Sequence, residues 1–310
     1  MTQWIETYRG AVPPWQCDVT EHFTVGYYFD RLEEAEANLA DALGLPGLAR
    51  DGGPRRAVDA RFARELRAGA CFHIESAVLA VDAGNALRLG HRVVDSVSGE
   101  VATWFDERWD LSAAPLTPEQ TRGLDARRAV WNGPESEQRA EPAGTGGFIP
   151  TARGRIKHAD IDAGGCFALG AMILRFSNAS GQVAAAMGMD TGYMQRNRRG
   201  FSTFELTLRS AGALRLDDPY LIETGVGHIG NSSLRMIHRL TDPRGGRRRF
   251  ARVPRNFLSP PSEAPRRPPG RSGDGAGHPR RSRTSRPRAG PGSAKAEVPG
   301  MTALLCPISE

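Results

Sequence analysis

Residues 15 to 45 read "WQCDVTEHFTVGYYFDRLEEAEANLADALGL", a short polar turn followed by a long run with helical spacing. Apolar side chains recur every three or four residues, which predicts a helix from about 22 to 43. They are Tyr28, Leu32, Ala35, Leu39 and Leu43. Gly44 and Pro46 supply a stop signal. Asp18 precedes this helix, where an aspartate most often caps the helix or stabilises a turn.

The chain contains this unit twice. A shift of 144 residues pairs Asp18 with Asp162, and later segments continue to match in the same order with small insertions. The matching pairs are "YRGAV" (8–12) with "ARGRI" (152–156), "LRAGACFHIES" (66–76) with "LRLDDPYLIET" (214–224), and "LRLGHRVVD" (87–95) with "LRMIHRLTD" (234–242). Segments that repeat in a fixed order predict two structural copies.

Each copy is predicted to be one long helix with an antiparallel meander, which is an α+β arrangement. In the first copy the strands are expected at about 4–12, 70–81, 86–96 and 101–111, from their alternating pattern and the turn residues between them. We predict four regions: a first domain at 1–115, a linker at 116–147, a second domain at 148–245 and a tail at 246–310.

The tail differs from the rest of the chain in composition. From residue 244 onward there are 14 Arg and 1 Lys against 4 acidic residues, and 11 of the 22 prolines. The remainder carries 26 basic and 31 acidic side chains, so the net charge of +6 comes from the tail. A segment this rich in Arg, Pro and Gly, with no apolar period, is not expected to order on its own.

Three explanations of the tail stay open. The second domain should end in a strand after residue 243, and an Arg/Pro/Gly-rich segment there is what a frameshifted GC-rich gene would encode. The tail could instead be a disordered functional segment, or a strand could form at about 248–258. If the last strand is missing, the second sheet exposes an unpaired edge.

Composition restricts the class of protein. Four cysteines are scattered singly, which argues for a reducing compartment and against a structural zinc site. The first residues, "MTQWIETYRG", lack the pattern of a signal peptide, and no apolar run approaches the roughly 20 residues of a membrane span. The expectation is a soluble cytoplasmic protein with no membrane partner.

A first strand, a W-x-x-D turn, a long helix and a meander with an R-x-L-R-x-G entrance (64–69) resemble the hotdog-fold acyl-CoA thioesterases of the 4-hydroxybenzoyl-CoA thioesterase-like group, in tandem form. The resemblance covers about 1–111 and 148–243. The family pattern W-x-x-D-x-x-G-H-x-N is matched by Trp15, Asp18 and His22. Glu21 replaces the usual Gly, and Thr24 replaces the usual Asn. In the second copy Cys166 stands in place of the histidine.

The resemblance implies two tandem hotdog domains, with a substrate groove between their central helices. It implies hydrolysis of an acyl-CoA thioester without a metal or redox cofactor, and it allows a homo-oligomer formed through the sheets. Asp18 would be the general base or nucleophile, and His22 would orient groups or meet the leaving thiolate. The N-terminus of the helix would supply N–H groups for the oxyanion.

Three further residues are predicted to bind substrate: Thr24, Tyr28 and Ser233. Thr24 stands at the asparagine position, and Tyr28 is core packing first and acyl pocket second. The segment "HIGNSSLRM" (228–236) is expected to place Ser232 or Ser233 at the groove opposite Asp18. His91 and His238 occur in both copies and are interpreted as structural.

Two other functions stay open. The altered Glu21, Thr24 and Cys166 are compatible with a catalytically weak protein that binds acyl thioesters or acts as a scaffold. The Arg clusters of the tail are compatible with binding to nucleic acid, although Pro and Gly interrupt them and no stacking aromatics follow Phe257. The sequence therefore does not favour nucleic acid as a partner.

Overall fold

A computed structural model describes residues 3–18, 20–48, 55–82, 85–135, 147–197, 200–210, 212–231, 233–244 and 248–258. The first repeat contains one long helix and five strands: β1 Ile5–Ala11, α1 Val25–Ala42, β2 Arg55–Phe62, β3 Cys71–Asp82, β4 Ala86–Asp95 and β5 Val101–Asp110. The predicted helix and four predicted strands are present to within three residues at each end. Strand β2 was not predicted.

The second repeat has the same order of elements, with a short helix and a short strand added after its long helix. It consists of β6 Ile149–Arg155, α3 Leu169–Ala186, α4 Thr191–Asn197, β7 Phe201–Thr203, β8 Glu205–Arg209, β9 Pro219–Ile229, β10 Ser233–Thr241 and β11 Arg248–Leu258. A further helix, α2 (Pro118–Asp125), lies in the predicted linker, where Thr117 and Gln120 form a capping box. The linker is therefore partly helical.

The strands of both repeats form one sheet. Its order is β1-β3-β4-β5-β2-β8-β11-β10-β9-β6, with β7 paired to β11, so the second half mirrors the first about the junction of β2 and β8. At this junction Arg209 donates two hydrogen bonds of 3.0 Å to the buried carboxylate of Asp59. These findings confirm an α+β fold of two tandem hotdog domains.

The two long helices cross at a pair of equivalent glycines. A Cβ added at Gly26 would come within 2.5 Å of the Leu174 side chain, and one at Gly170 would lie 2.9–3.0 Å from Asp30. The absence of side chains at these two positions lets α1 and α3 approach closely. One apolar core, which includes Phe29 of α1, extends through both repeats.

The final strand of the second repeat is present as β11. It lies between β8 and β10 and pairs antiparallel with both. The chain therefore has a strand over Arg248–Leu258, inside the segment that we predicted to be a disordered tail from 246. Residues 259–310, which include the Arg cluster "PRRSRTSRPR" (279–288) behind the nucleic-acid alternative, lie outside the described residues. Of the other cluster, "GGRRRF" (245–250), residues 248–250 belong to β11.

The repeated histidines lie in the core, as interpreted from their repetition. His91 and His238 are both fully buried. The Nδ1 atom of His91 is 2.7 Å from the Ser76 hydroxyl, and that of His238 is 2.7 Å from the Thr224 hydroxyl. Burial lowers the pKa of His238 to about 3, because the interior disfavours the charged imidazolium.

Candidate active site

Asp18 stabilises a tight turn and does not cap the helix. Its Oδ1 atom accepts hydrogen bonds from the backbone N–H of Thr20 (2.8 Å) and of His22 (3.1 Å), and from the Thr20 hydroxyl (2.6 Å). The N-cap of α1 is Thr24, six residues later. Asp18 is exposed, and among the described residues Oδ2 has no hydrogen-bond partner.

The second repeat contains the same turn. Asp162 Oδ1 accepts from the backbone N–H of Gly164 and of Cys166, each at 2.9 Å. The turn requires a left-handed residue, which is Gly165 (φ 75°) in the second repeat and Glu21 (φ 64°) in the first. An aspartate at this place is thus explained by the fold in both repeats, and it does not by itself indicate catalysis.

Additional polar groups surround the turn in the first repeat. His22 lies between two partners: its Nδ1 atom is 2.9 Å from the Thr20 hydroxyl, and its Nε2 atom is 2.9 Å from a carboxylate oxygen of Glu65. The Thr20 hydroxyl also reaches Asp18. A hydroxyl, an imidazole and two carboxylates therefore form one connected group, which we call the Asp18 cluster (Asp18, Thr20, His22 and Glu65).

The second repeat contributes to this cluster across the domain junction. Ser202 in β7 donates its hydroxyl proton to Glu65 Oε1, at 2.5 Å. Glu65 thus has one oxygen on His22 and the other on Ser202. The hydrogen bond from Ser202 holds the Glu65 carboxylate beside the imidazole, which it meets at ion-pair distance without hydrogen-bond geometry.

The corresponding groups are missing from the second repeat. Gly164 occupies the place of Thr20, Cys166 that of His22, and Ala213 that of Glu65, since the two chain segments have equivalent bridges at His22–Arg67 and Cys166–Arg215. Sequence reasoning missed Glu65 and Ser202. The sequence did offer a signal for Glu65: in the matched segments Leu66 pairs with Leu214, and the residue before it is Glu65 in the first repeat and Ala213 in the second.

Tyr28 holds the segment that carries Glu65. It is buried, with its ring 4.6 Å from that of Phe23, and its hydroxyl accepts a hydrogen bond of 3.1 Å from the Leu66 N–H. Burial raises the pKa of this phenol. The prediction that Tyr28 binds substrate stays a prediction, since the structure places its side chain in the core.

Thr24 lies at the start of α1 as its N-cap residue, and its predicted role in substrate binding stays a prediction. Its backbone N–H bonds to the Gln16 carbonyl at 3.0 Å, which ties the helix start to the turn. The Thr24 side chain makes no capping bond. Among the described residues, the N–H groups of Val25 and Gly26 have no hydrogen-bond partner, so the N-terminus of α1 offers free donors.

Ser233 lies at the end of the sheet that carries Ser202, but it does not contact the Asp18 cluster directly. It pairs with Phe257 of β11, which pairs in turn with Ser202 of β7. Two strand spacings separate Ser233 from Ser202, about 10 Å across the sheet. Its role in substrate binding therefore stays a prediction.

The Cys17 thiol, next to Asp18, is disfavoured as a nucleophile. Burial, and after it the charge of Asp18, raise the pKa of the Cys17 thiol. A raised pKa reduces the thiolate fraction, which is the reactive form.

Comparison with solved structures shows that the fold is shared over both repeats. An acyl-ACP thioesterase from Bacteroides thetaiotaomicron is 12% identical, with 83% of this chain and 97% of that chain covered and a TM-score of 0.60. The 12:0-ACP thioesterase from Umbellularia californica is 16% identical, with 83% and 94% covered and a TM-score of 0.55. A Lactobacillus plantarum protein assigned as an oleoyl thioesterase is 11% identical, with 81% and 95% covered and a TM-score of 0.61.

Sequence comparison adds no further assignment, since no family model and no curated protein matches this chain. The tandem arrangement is thus related to known proteins through its fold. Among the helices of the described residues, none has the length and apolarity to cross a bilayer.

Proposed function

We propose that this chain hydrolyses acyl thioesters at the N-terminal end of α1, with Asp18 as the general base or nucleophile. The observation that carries the proposal is the Asp18 cluster, which the first repeat has and the second lacks. Fold alone would keep both turns alike. A connected set of a base, an imidazole and a fixed carboxylate is what acyl transfer requires.

Asp18 supplies the base. Its Oδ1 atom is engaged in the turn, and its exposed Oδ2 atom is available to hold a water. As a base, Oδ2 takes a proton from that water while the water oxygen bonds to the carbonyl carbon. As a nucleophile, Oδ2 attacks the carbon itself, and water hydrolyses the resulting anhydride.

The start of α1 stabilises the intermediate. The carbonyl oxygen becomes negative as the new bond forms, and the N–H groups of Val25 and Gly26 would donate to it. The positive end of the helix dipole favours the same charge.

His22 completes the reaction on the leaving-group side. When the carbon–sulfur bond breaks, the thiolate takes a proton, so the products are a carboxylic acid and a thiol. His22 is close enough to the turn to deliver this proton, and Glu65, fixed by Ser202, keeps the imidazole oriented.

The substrate is an acyl thioester of a phosphopantetheine thiol, and acyl-CoA is the expected form. The three neighbours described above include proteins named for acyl-ACP, so the carrier is part of the test.

The test is release of thiol from short, long and aromatic acyl-CoA and acyl-carrier-protein thioesters. Wild type should hydrolyse at least one of them, and Glu65→Gln should lower kcat by about 10–100-fold with little change in KM. Glu75→Gln is the matched control, because Glu75 pairs with Arg92 on β4 instead of His22. A wild-type protein that binds but never hydrolyses these thioesters would favour the catalytically weak binding protein.

A further inference from the structure

The N-terminus of α3 is occupied by a carboxylate from α1. Glu33 Oε1 accepts a hydrogen bond of 2.9 Å from the Leu169 N–H, and Oε2 accepts one of 3.3 Å from the Gly170 N–H. The N-cap of α3 is Ala168, which has no side-chain acceptor. Glu33 therefore fills the place that a capping residue, or a bound anion, would take.

The equivalent place at α1 has a different partner. The same shift of 144 residues maps Glu33 onto Ser177, which is exposed and donates its hydroxyl to Ile173 of its own helix at 3.1 Å. The N–H groups of Val25 and Gly26, equivalent to those covered by Glu33, have no partner among the described residues. The two helix starts thus have equivalent backbones, but a carboxylate binds the N–H groups of α3 and no described residue binds those of α1.

The residues that face the two helix starts also differ. The residue facing Gly26 across the helix crossing is Leu174, and the residue facing Gly170 is Asp30. At α1 the groove presents the apolar Leu174 side chain, whereas at α3 it presents the Glu33 carboxylate. An oxyanion, or an anionic substrate, is repelled by the second environment and tolerated by the first.

We infer that Glu33 is an internal plug that closes the second helix start to thioester carbonyls, so that the chain has one active site, at α1. This inference rests on the proposed function for the location of that site. The plug itself stabilises α3 by satisfying two backbone donors and by placing negative charge at its positive end.

The mirror substitution tests the plug most sharply. Ser177→Glu should place a carboxylate on the Val25 and Gly26 N–H groups, lowering kcat/KM at least about 100-fold by covering the oxyanion donors. The same substitution should raise Tm by about 2–4 °C through capping. Ser177→Ala is the control and should keep activity within about twofold, since it removes a hydroxyl that bonds only within its helix. A Ser177→Glu protein with wild-type activity would overturn the inference.

Variants of Glu33 should change Tm and activity in the opposite way to Ser177→Glu. Glu33→Ala should lower Tm by about 2–4 °C and keep kcat/KM within about twofold. A folded Glu33→Gln protein that loses activity 100-fold or more would show that this carboxylate takes part in the chemistry, which contradicts the plug. Titration with a non-hydrolysable acyl-CoA thioether should give one site per chain, and two equal sites would also contradict it.

The thermal shifts separate the two proposals. If wild type hydrolyses no thioester, the proposed function fails, yet Glu33→Ala must still lower Tm and Ser177→Glu must still raise it. If neither substitution changes Tm, the plug fails whatever the activity.

Discussion

Glu21 and Gly165 occupy the same place in the two turns, with φ of 64° and 75°. A side chain in this left-handed region costs about 1–2 kcal/mol, whereas Gly adopts it without strain. Strain at the turn that carries Asp18 is thus a property of the first repeat.

Glu21→Gly should therefore raise the free energy of unfolding by about 0.5–1 kcal/mol, after the entropy lost by Gly. Denaturant unfolding measures it. Glu21→Ala is the control, because it keeps the positive φ and removes only the carboxylate. Equal stability of the two variants would show that the backbone is not strained there.

His238 makes stability depend on pH. Its pKa is lowered to about 3 in the folded protein, against 6.5 for an ordinary histidine, so the unfolded chain binds the proton first. The contribution of His238 to the free energy of unfolding is fully present above pH 6.5. It is lost as the pH falls from 6.5 towards 3, at up to about 1.4 kcal/mol per pH unit. His238→Gln should flatten this slope between pH 6 and 4.5, and the exposed His228→Gln should not. Parallel slopes for all three proteins would contradict this account.

Helix packing depends on the glycine pair at the crossing of α1 and α3. Gly170→Ala would bring a Cβ to 2.9–3.0 Å from the Asp30 backbone and Cβ, so the helices must separate, at a cost of about 1–3 kcal/mol. In the same helix Gly181 has no atom within 4 Å of an added Cβ, and Gly181→Ala should stabilise by about 0.5–1 kcal/mol. The two unfolding curves should move in opposite directions. A stabilising Gly170→Ala would contradict the packing.

The helix and the hairpin strands of each repeat could be predicted because their apolar period is local. Strand β2 could not, since Asp59 within it reads as a turn or surface residue. Its partner, Arg209, lies 150 residues away across the junction. Glu65 was missed for the same reason, because His22 and Ser202 meet it only in the folded chain. The sequence shows the charge of each carboxylate but not the distant partner that binds it in the folded chain.

At the scale of the whole molecule, β11 links three strands of the second repeat, β6, β9 and β10, to the rest of the sheet. It lies between β8 and β10, so removing it exposes two strand edges and leaves β6, β9 and β10 without a link to the rest of the sheet.

A chain ending at Thr241 should therefore aggregate or lose cooperative unfolding, whereas a chain ending at Leu258 should unfold as one unit. Calorimetry and size-exclusion chromatography measure this. If the chain ending at Thr241 had an unchanged Tm, β11 would not be part of the stable fold. The repeat predicted the tandem architecture, and the composition of the tail hid this strand.

We propose that one of two equivalent turns, the one that contains Asp18, is a catalytic site. Asp18 and Asp162 make the same turn bonds, so Asn at either position should cost similar stability. The decisive measurement is kcat/KM for thioester hydrolysis by Asp18→Asn and Asp162→Asn side by side. We expect a loss of at least about 100-fold for Asp18→Asn and a change within about threefold for Asp162→Asn. Full activity in Asp18→Asn, or an equal loss in both variants, would contradict the catalytic role of Asp18.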